Sequence, residues 1–263
     1  MCIDDISGKE LNSKAVKLAR QLELRTFKDM EVYEYMRREE AASRGKTVGV
    51  RWVDSLKGTT VKSRLVAQEF ASVQGDRDDI FAATPPWMAR EYVISDTASR
   101  GRSGRTSRRI SVMDVKRAFL YGEIEEEIYI ELPEEDEMKS KGYIGKLKKA
   151  MYGTRSAPLI WQKVVMKKMK EMGFDTCPTT PCLYHHKTRD FLVVDHVDDF
   201  LGAGEPEDLL WVKQELEKTF ELTYKLVGPG QAATFLGRTI TWSSEGITIE
   251  GENKYIDTMM KEC

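Results

Sequence analysis

The stretch FLVVDHVDDFL, residues 191–201, decides how this chain is read. Four apolar residues, 191–194, run into Asp195-His196-Val197-Asp198-Asp199, and apolar character resumes at Phe200 and Leu201. Short apolar runs on either side of polar turn residues predict a strand–turn–strand. That turn holds two adjacent carboxylates. A second compact apolar run, 110–115, carries Asp114, which lies 84 residues before Asp198. Phosphoryl transfer onto a growing nucleic acid uses two divalent cations ~3.5–4 Å apart. A few hard carboxylate oxygens at strand ends or tight turns can hold them, leaving room for substrate phosphates. Asp114, Asp198 and Asp199 meet that description, provided a fold brings them together. Asp-Asp pairs also stand at Asp4-Asp5 and Asp78-Asp79, where solvated turns explain them. Spacing alone therefore leaves the function undecided.

Outward from this hairpin, patterning predicts a mixed architecture. Residues 29–44 read as a helix with Asp29 as N-cap and Gly45 as its stop. Residues 48–53 and 61–70 read as two strands joined by a turn at Lys57-Gly58. Residues 71–90 read as loop, 89–99 as a short helix and 100–109 as an Arg/Gly/Ser loop. Ile128, Ile130 and Leu132 alternate with Glu127, Tyr129 and Glu131, the pattern of a half-buried strand. Ser156 with Pro158 opens a helix whose Ile160, Trp161, Val164, Val165, Met169 and Met172 form one apolar stripe, stopped by Gly173. Another amphipathic helix covers 206–220, three short strands lie near 233–236, 238–242 and 246–250, and 255–261 begins a helix. Helices among mostly antiparallel strands argue for the α+β class.

Composition narrows the function classes. The chain has 263 residues, 41% of them apolar, with 41 basic side chains against 43 acidic for a net charge of −2. That balance excludes a histone-like polycation and an acidic disordered tail. No apolar run approaches the ~20 residues that cross a bilayer, and Met1-Cys2-Ile3-Asp4-Asp5 lacks a signal-peptide pattern. The expectation is a soluble protein of the cytoplasm, with the nucleus as the other compartment. Charge is segregated, however: residues 121–137 hold nine acidic groups and no basic one, residues 146–170 the reverse with eight basic groups, and residues 100–109 five arginines. Basic blocks flanking the Asp114 strand suggest a phosphate-binding channel as well as ordinary solvated faces. Four cysteines form no disulfide framework, and Cys177 and Cys182 with His185 and His186 match no trusted zinc spacing.

Five collinear blocks then carry a resemblance. They are Val61-Lys-Ser-Arg-Leu-Val-Ala-Gln-Glu-Phe70, Met113-Asp-Val-Lys-Arg-Ala-Phe-Leu-Tyr-Gly122, Lys146-Leu-Lys-Lys-Ala-Met-Tyr-Gly153 with Ala157-Pro158 and Trp161, His196-Val-Asp-Asp199, and Phe235-Leu-Gly-Arg-Thr-Ile240 with the segment that follows it. In this order they resemble the reverse transcriptase of Ty1/copia-type retrotransposon Pol polyproteins, over about residues 48–262. The resemblance implies a fingers–palm polymerase fold, an antiparallel palm sheet backed by helices, with residues 1–47 as a helical lead-in and 48–263 as fingers and palm. The thumb and ribonuclease H regions are expected to lie outside this chain. It further implies an RNA-directed DNA polymerase that adds deoxynucleotides to a primer 3′-end with two Mg²⁺ ions, or Mn²⁺ in their place. Asp114 and Asp198, with the Val115 carbonyl, would be metal ligands, and Asp199 a third, less essential carboxylate.

The same resemblance assigns Lys62 and Arg64 to the triphosphate and Phe119 to the face beneath the incoming sugar, where a ring would clash with a 2′-hydroxyl. Ser156 stands at the nucleotide site, and Lys146, Lys148, Lys149, Arg155 and Lys163 at the template–primer backbone. Implied partners are template–primer, deoxynucleotides and other parts of a Pol polyprotein such as integrase and ribonuclease H, with no membrane. Two departures stand out. His196 takes the place of the family's Tyr, and Thr154-Arg155-Ser156 that of Leu-Lys-Gln. The second removes an amide donor that a serine hydroxyl replaces only in part. The alternative reading is an inactive element remnant that folds and binds nucleic acid without catalysis.

Overall fold

The computed structural model describes residues 2–41, 44–69, 84–102 and 107–251. In chain order the elements are β1 (Cys2–Ile3), β2 (Glu10–Leu11), α1 (Ser13–Asp29), β3 (Tyr33–Arg37), α2 (Arg38–Ala41), β4 (Lys46–Val48), β5 (Val50–Lys57) and β6 (Thr60–Ala67). Then come α3 (Trp87–Arg102), β7 (Arg109–Val115), a 3₁₀ turn (Ala118–Tyr121), β8 (Ile128–Ile130), β9 (Tyr143–Leu147) and α4 (Ala157–Glu171). The last elements are β10 (Asp175–Cys177), β11 (Thr180–His186), β12 (Phe191–His196), β13 (Asp199–Gly204), α5 (Pro206–Glu217), β14 (Leu222–Val227), β15 (Gln231–Phe235), β16 (Arg238–Trp242) and β17 (Ile247–Gly251). The class is α+β, as expected. Contacts divide the chain into two compact units: Met1–Ala82 with Phe119–Trp161, and Ala83–Ala118 with Gln162–Cys263.

In the first unit, α1 starts where Asn12 accepts the Lys14 and Ala15 N–H groups on its side chain, an N-cap that satisfies two orphan donors. It buries Val16, Leu24 and Phe27 and ends at Asp29. The helix expected over 29–44 is therefore corrected: Tyr33–Arg37 is a strand paired antiparallel with β9. The physical reason is a side-chain pair that only a strand permits. Tyr33 and Tyr35, two apart and hence on one face, both donate to the Asp136 carboxylate, at 2.8 and 2.9 Å.

The hairpin of β5 and β6 forms as expected, with Gly58 at positive φ in its turn. Its buried Asp54 accepts from Ser63 Oγ at 2.6 Å and pairs with Arg20 of α1, which also reaches Glu135. Strand β8 departs from the half-buried expectation. All three of its residues are buried, because Tyr129 packs with Ala41, Ile144 and Met36 in a second cluster behind the main core. The main core of the unit joins Leu24, Phe27, Leu65, Leu120, Ile130 and Met151.

The second unit is built on a six-stranded antiparallel sheet of order β10-β11-β12-β13-β7-β14. One face carries Ile110, Leu192, Val194, Leu201 and Ala203, packed with Val93 and Ile94 of α3 and with Phe235, Ile240 and Trp242 of the β15-β16-β17 sheet. The other face receives α5, whose Leu209, Val212 and Leu216 are buried. Close packing there fixes Gly204: a Cβ would lie 2.2 Å from the Phe191 ring. Strand β14, which patterning did not pick out, pairs along β7 and makes it an interior strand.

Arg108 is corrected from an exposed loop cation. Its side chain is 3% exposed and donates to Asp96 at 2.5 Å and to the Asp190 carbonyl at 2.7 Å. The expected loop at 71–90 and the Arg/Gly/Ser loop fall partly outside the described residues, as does the helix expected over 255–261. Within the described part, residues 87–90 and 100–102 are helical, in α3.

Candidate active site

In the second unit, β13 places Asp199 directly opposite Asp114 of β7, and β14 places Thr223 on the other side of Asp114. Directly opposed residues of antiparallel strands share a face, with Cβ atoms ~4.5–5.5 Å apart. Like charges so placed repel unless something positive lies between them. Asp198 sits in the two-residue turn joining β12 to β13, and its carbonyl accepts the Val115 N–H at 2.8 Å. That bond ties the turn to the strand carrying Asp114. The turn itself is strained: Val197 has φ +57, a conformation that β-branched residues rarely adopt. Such strain persists where surrounding structure enforces it, and it clusters at functional sites.

The carboxylates Asp114, Asp198 and Asp199 are thus brought to one end of β7 and β13. Among the described residues, no three His, Cys, Asp or Glu side chains form a ready-made metal cage. The donor chemistry still suits a hard divalent cation. Mg²⁺ in phosphoryl-transfer sites is held by one or two carboxylates and completed by substrate phosphates and water. His196 faces this region. Burial and the Arg90 guanidinium hold its imidazole below the ordinary range, with Asp198 pulling the other way.

In the first unit, Lys62 and Arg64 lie on the exposed face of β6, while Ser63, Leu65 and Ala67 point inward. The Arg64 guanidinium stands 5.2 Å from the centroid of Tyr152, and Tyr152 meets Phe119 edge-on at 4.9 Å. Tyr152 therefore links two residues that the resemblance assigns to the nucleotide. Its aromatic ring beside Gly153 is the signal in the sequence that marks this position. Gly153 fixes this position: φ is +85, and a Cβ would fall 1.9 Å from the Ala67 carbonyl oxygen. The Ala67 N–H donates to the Tyr152 carbonyl at 2.8 Å, so the stack is pinned to β6.

Ser156 is buried and its hydroxyl makes no hydrogen bond. The Arg155 N–H donates to Glu69. Lys146 pairs with Glu127 at 3.1 Å and Lys148 with Glu31 at 3.0 Å, while Lys149 lies on the bridge to Glu123 and near Glu31. The Lys146–Glu127 pair thus joins the acidic and basic blocks, while Lys148 finds its carboxylate outside the acidic block, on Glu31. Lys163 is exposed on α4.

Comparison with known proteins closes the identification. The chain matches the profile of the reverse transcriptase (RNA-dependent DNA polymerase) family over residues 31–263 and belongs to that family. It is 30% identical over 223 residues to the retrovirus-related Pol polyprotein from transposon TNT 1-94 of Nicotiana tabacum, covering 80% of this chain and 16% of that one. It is 34% identical over 138 residues to a transposon Ty5-1 protein of Saccharomyces cerevisiae, covering 51% and 44%. These similarities place it with the reverse transcriptases of copia-type retrotransposons. The chain spans less than half the length of either relative.

Among solved structures, apo telomerase from Candida tropicalis aligns with a TM-score of 0.50 at 10% identity, covering 96% of this chain and 63% of that one. Telomerase from Candida albicans, solved with a fragment of telomeric RNA, gives 0.51 at 9%, covering 88% and 49%. The fold is that of a fingers–palm polymerase.

Proposed function

We propose that this chain is an RNA-directed DNA polymerase that transfers deoxynucleotides to a primer 3′-hydroxyl using two divalent cations. The observation that carries this reading is the direct opposition of Asp114 and Asp199, with Asp198 in a strained turn bonded to Val115. Asp114 and Asp198, with the Val115 carbonyl, would hold Mg²⁺, and Mn²⁺ could substitute. Bound there, such ions would supply polarisation of the attacking hydroxyl and neutralisation of phosphate charge. The carboxylates fix where that charge is met, and Asp199 adds to the negative potential without being the main ligand. Lys62 and Arg64 supply cations for the triphosphate. We read the first unit as fingers and the second as palm. Template–primer, deoxynucleotides and the remaining parts of a Pol polyprotein are its proposed partners.

The Arg64–Tyr152–Phe119 stack supports a sugar gate. Phe119→Ala is expected to reduce discrimination against ribonucleotides by about 10²-fold, because the clash with a 2′-hydroxyl disappears. Competing single-nucleotide incorporation measures this, and unchanged discrimination would remove Phe119 from the gate. The buried, unpartnered Ser156 hydroxyl favours the second reading, nucleic-acid binding without chemistry. Primer extension on an RNA template with Mg²⁺ and deoxynucleotides separates the two. Extension supports the polymerase reading, and salt-sensitive binding without extension supports the remnant.

A further inference from the structure

Helix α4 and helix α5 differ in how their charges are balanced. On α5, Asp208 pairs with Arg189 at 2.5 Å, Glu217 with Lys213 at 2.7 Å and Glu215 with Lys218 at 2.6 Å. On α4, Lys163, Lys167, Lys168 and Lys170 face a single carboxylate on the same helix, Glu171 at its last residue. Lys163, Lys167 and Lys170 are all exposed and recur at i, i+4 and i+7. They form one line, with rises of about 6 and 4.5 Å between neighbours. The opposite side of the helix is committed to the core through Trp161, Val165 and Met169. Favourable interaction with the helix dipole accounts for cations in the last turn, Lys168 and Lys170, but not for Lys163 and Lys167.

The placement of this line separates it from the carboxylates. Past Gly173, the chain delivers Phe174 onto Phe191 and Trp211, with ring centroids 5.6 and 6.4 Å apart. Phe191 points to the sheet face that carries α5, opposite the face of His196, Asp199 and Asp114. No large aromatic side chain is exposed on α4 to stack a base. The chemistry is that of point cations without base readout, which suits phosphates independently of sequence.

We propose that the lysine line of α4 binds the phosphodiester backbone of a nucleic-acid strand outside the catalytic groove. The proposal rests on the reading of the chain as a nucleic-acid-binding protein, but not on its catalysis. Its test uses the full chain, a 40-nucleotide oligo(dT) strand and EDTA, with affinity measured against salt concentration. Lys163→Gln/Lys167→Gln/Lys170→Gln is expected to weaken binding about tenfold at 0.1 M salt and to lower the log–log salt slope by about 2. Lys139→Gln/Lys187→Gln/Lys218→Gln removes equal charge from ion-paired lysines elsewhere and is expected to leave the slope unchanged.

Equal losses in the two triples would mean general electrostatics, and no loss in the first would mean a solvated face or a protein partner. Either result overturns the proposal. Thermal melts of both triples show that they fold. Because the readout needs no metal, failure of primer extension leaves it intact.

Discussion

Asp195→Asn is expected to raise stability at pH 8 and to change it little at pH 4. Asp195 lies on β12, three residues before Asp198, and points into the sheet face covered by α5. Its side chain is almost wholly buried, and Oδ1 has no hydrogen-bond partner. Burial pushes its carboxyl up from the ordinary 3.8 to about 7. The nearby Tyr184 hydroxyl favours the charged form, but it completes no hydrogen bond of good geometry and offsets burial only in part. The same burial, helped by the Asp195 charge, pushes the Cys182 thiol up to about 11.

The sign follows from proton counts. Between about pH 4 and pH 7 the folded chain keeps a proton on Asp195 that the unfolded chain has released. Stability therefore falls as pH rises through that window and stays lower above it. The difference between 3.8 and about 7 amounts to something on the order of 4 kcal/mol at full effect. Asparagine keeps the shape and removes the charge, so its melting curve should lose this fall. Melting temperatures measured from pH 4 to pH 8 check it. Parallel curves for the two proteins would show that Asp195 ionises freely in the folded state.

A second large effect is expected at Asp96. Arg108 and Asp96 are both nearly sealed from solvent, and Arg100 reaches Asp96 from one turn along α3 at 3.0 Å. Asp96→Ala takes the nearer carboxylate from the buried Arg108 guanidinium and leaves it Asp190 at 3.5 Å, a change that costs about 3 kcal/mol. For a chain of this size that lowers the melting temperature by about 10 °C. Arg108→Met in the same chain removes the stranded charge and fills its volume, so the double variant should recover much of the loss. Equal melting temperatures for the single and double variants would show that the charge is not what the core resists.

The elements that sequence patterning found are those whose pattern is local. The 191–201 hairpin, the stripe of α4 and the Pro-opened α5 each carry their own local pattern. The collinear blocks named the family because five of them fall in order. Glu, Met and Arg in β3 suit a helix locally, and its strand state comes from pairing with β9 more than 100 residues away. Arg108 read as a surface cation among Gly, Ser and Arg. Its burial depends on Asp96 and Asp190, partners that nothing in the local sequence marks.

The site shows the same division. Asp114, Asp198 and Asp199 were legible as residue types at strand ends. Their opposition is a matter of register, which only the folded sheet fixes. Tyr152 was legible as an aromatic ring, while its place between Arg64 and Phe119 depends on the bond between Ala67 and its own carbonyl. The basic and acidic blocks are legible as charge, yet strand pairing brings Lys146 to Glu127 while the α4 lysines share their helix with one carboxylate, Glu171.

The most direct test is single-nucleotide incorporation on an RNA template under single-turnover conditions. It compares the parent chain with Asp114→Asn, Asp198→Asn and Asp199→Asn in Mg²⁺. The expected result is incorporation by the parent chain, a loss of at least ~10²-fold for the first two variants and a smaller loss for the third. Incorporation by Asp114→Asn and Asp198→Asn at the parent rate would contradict the account.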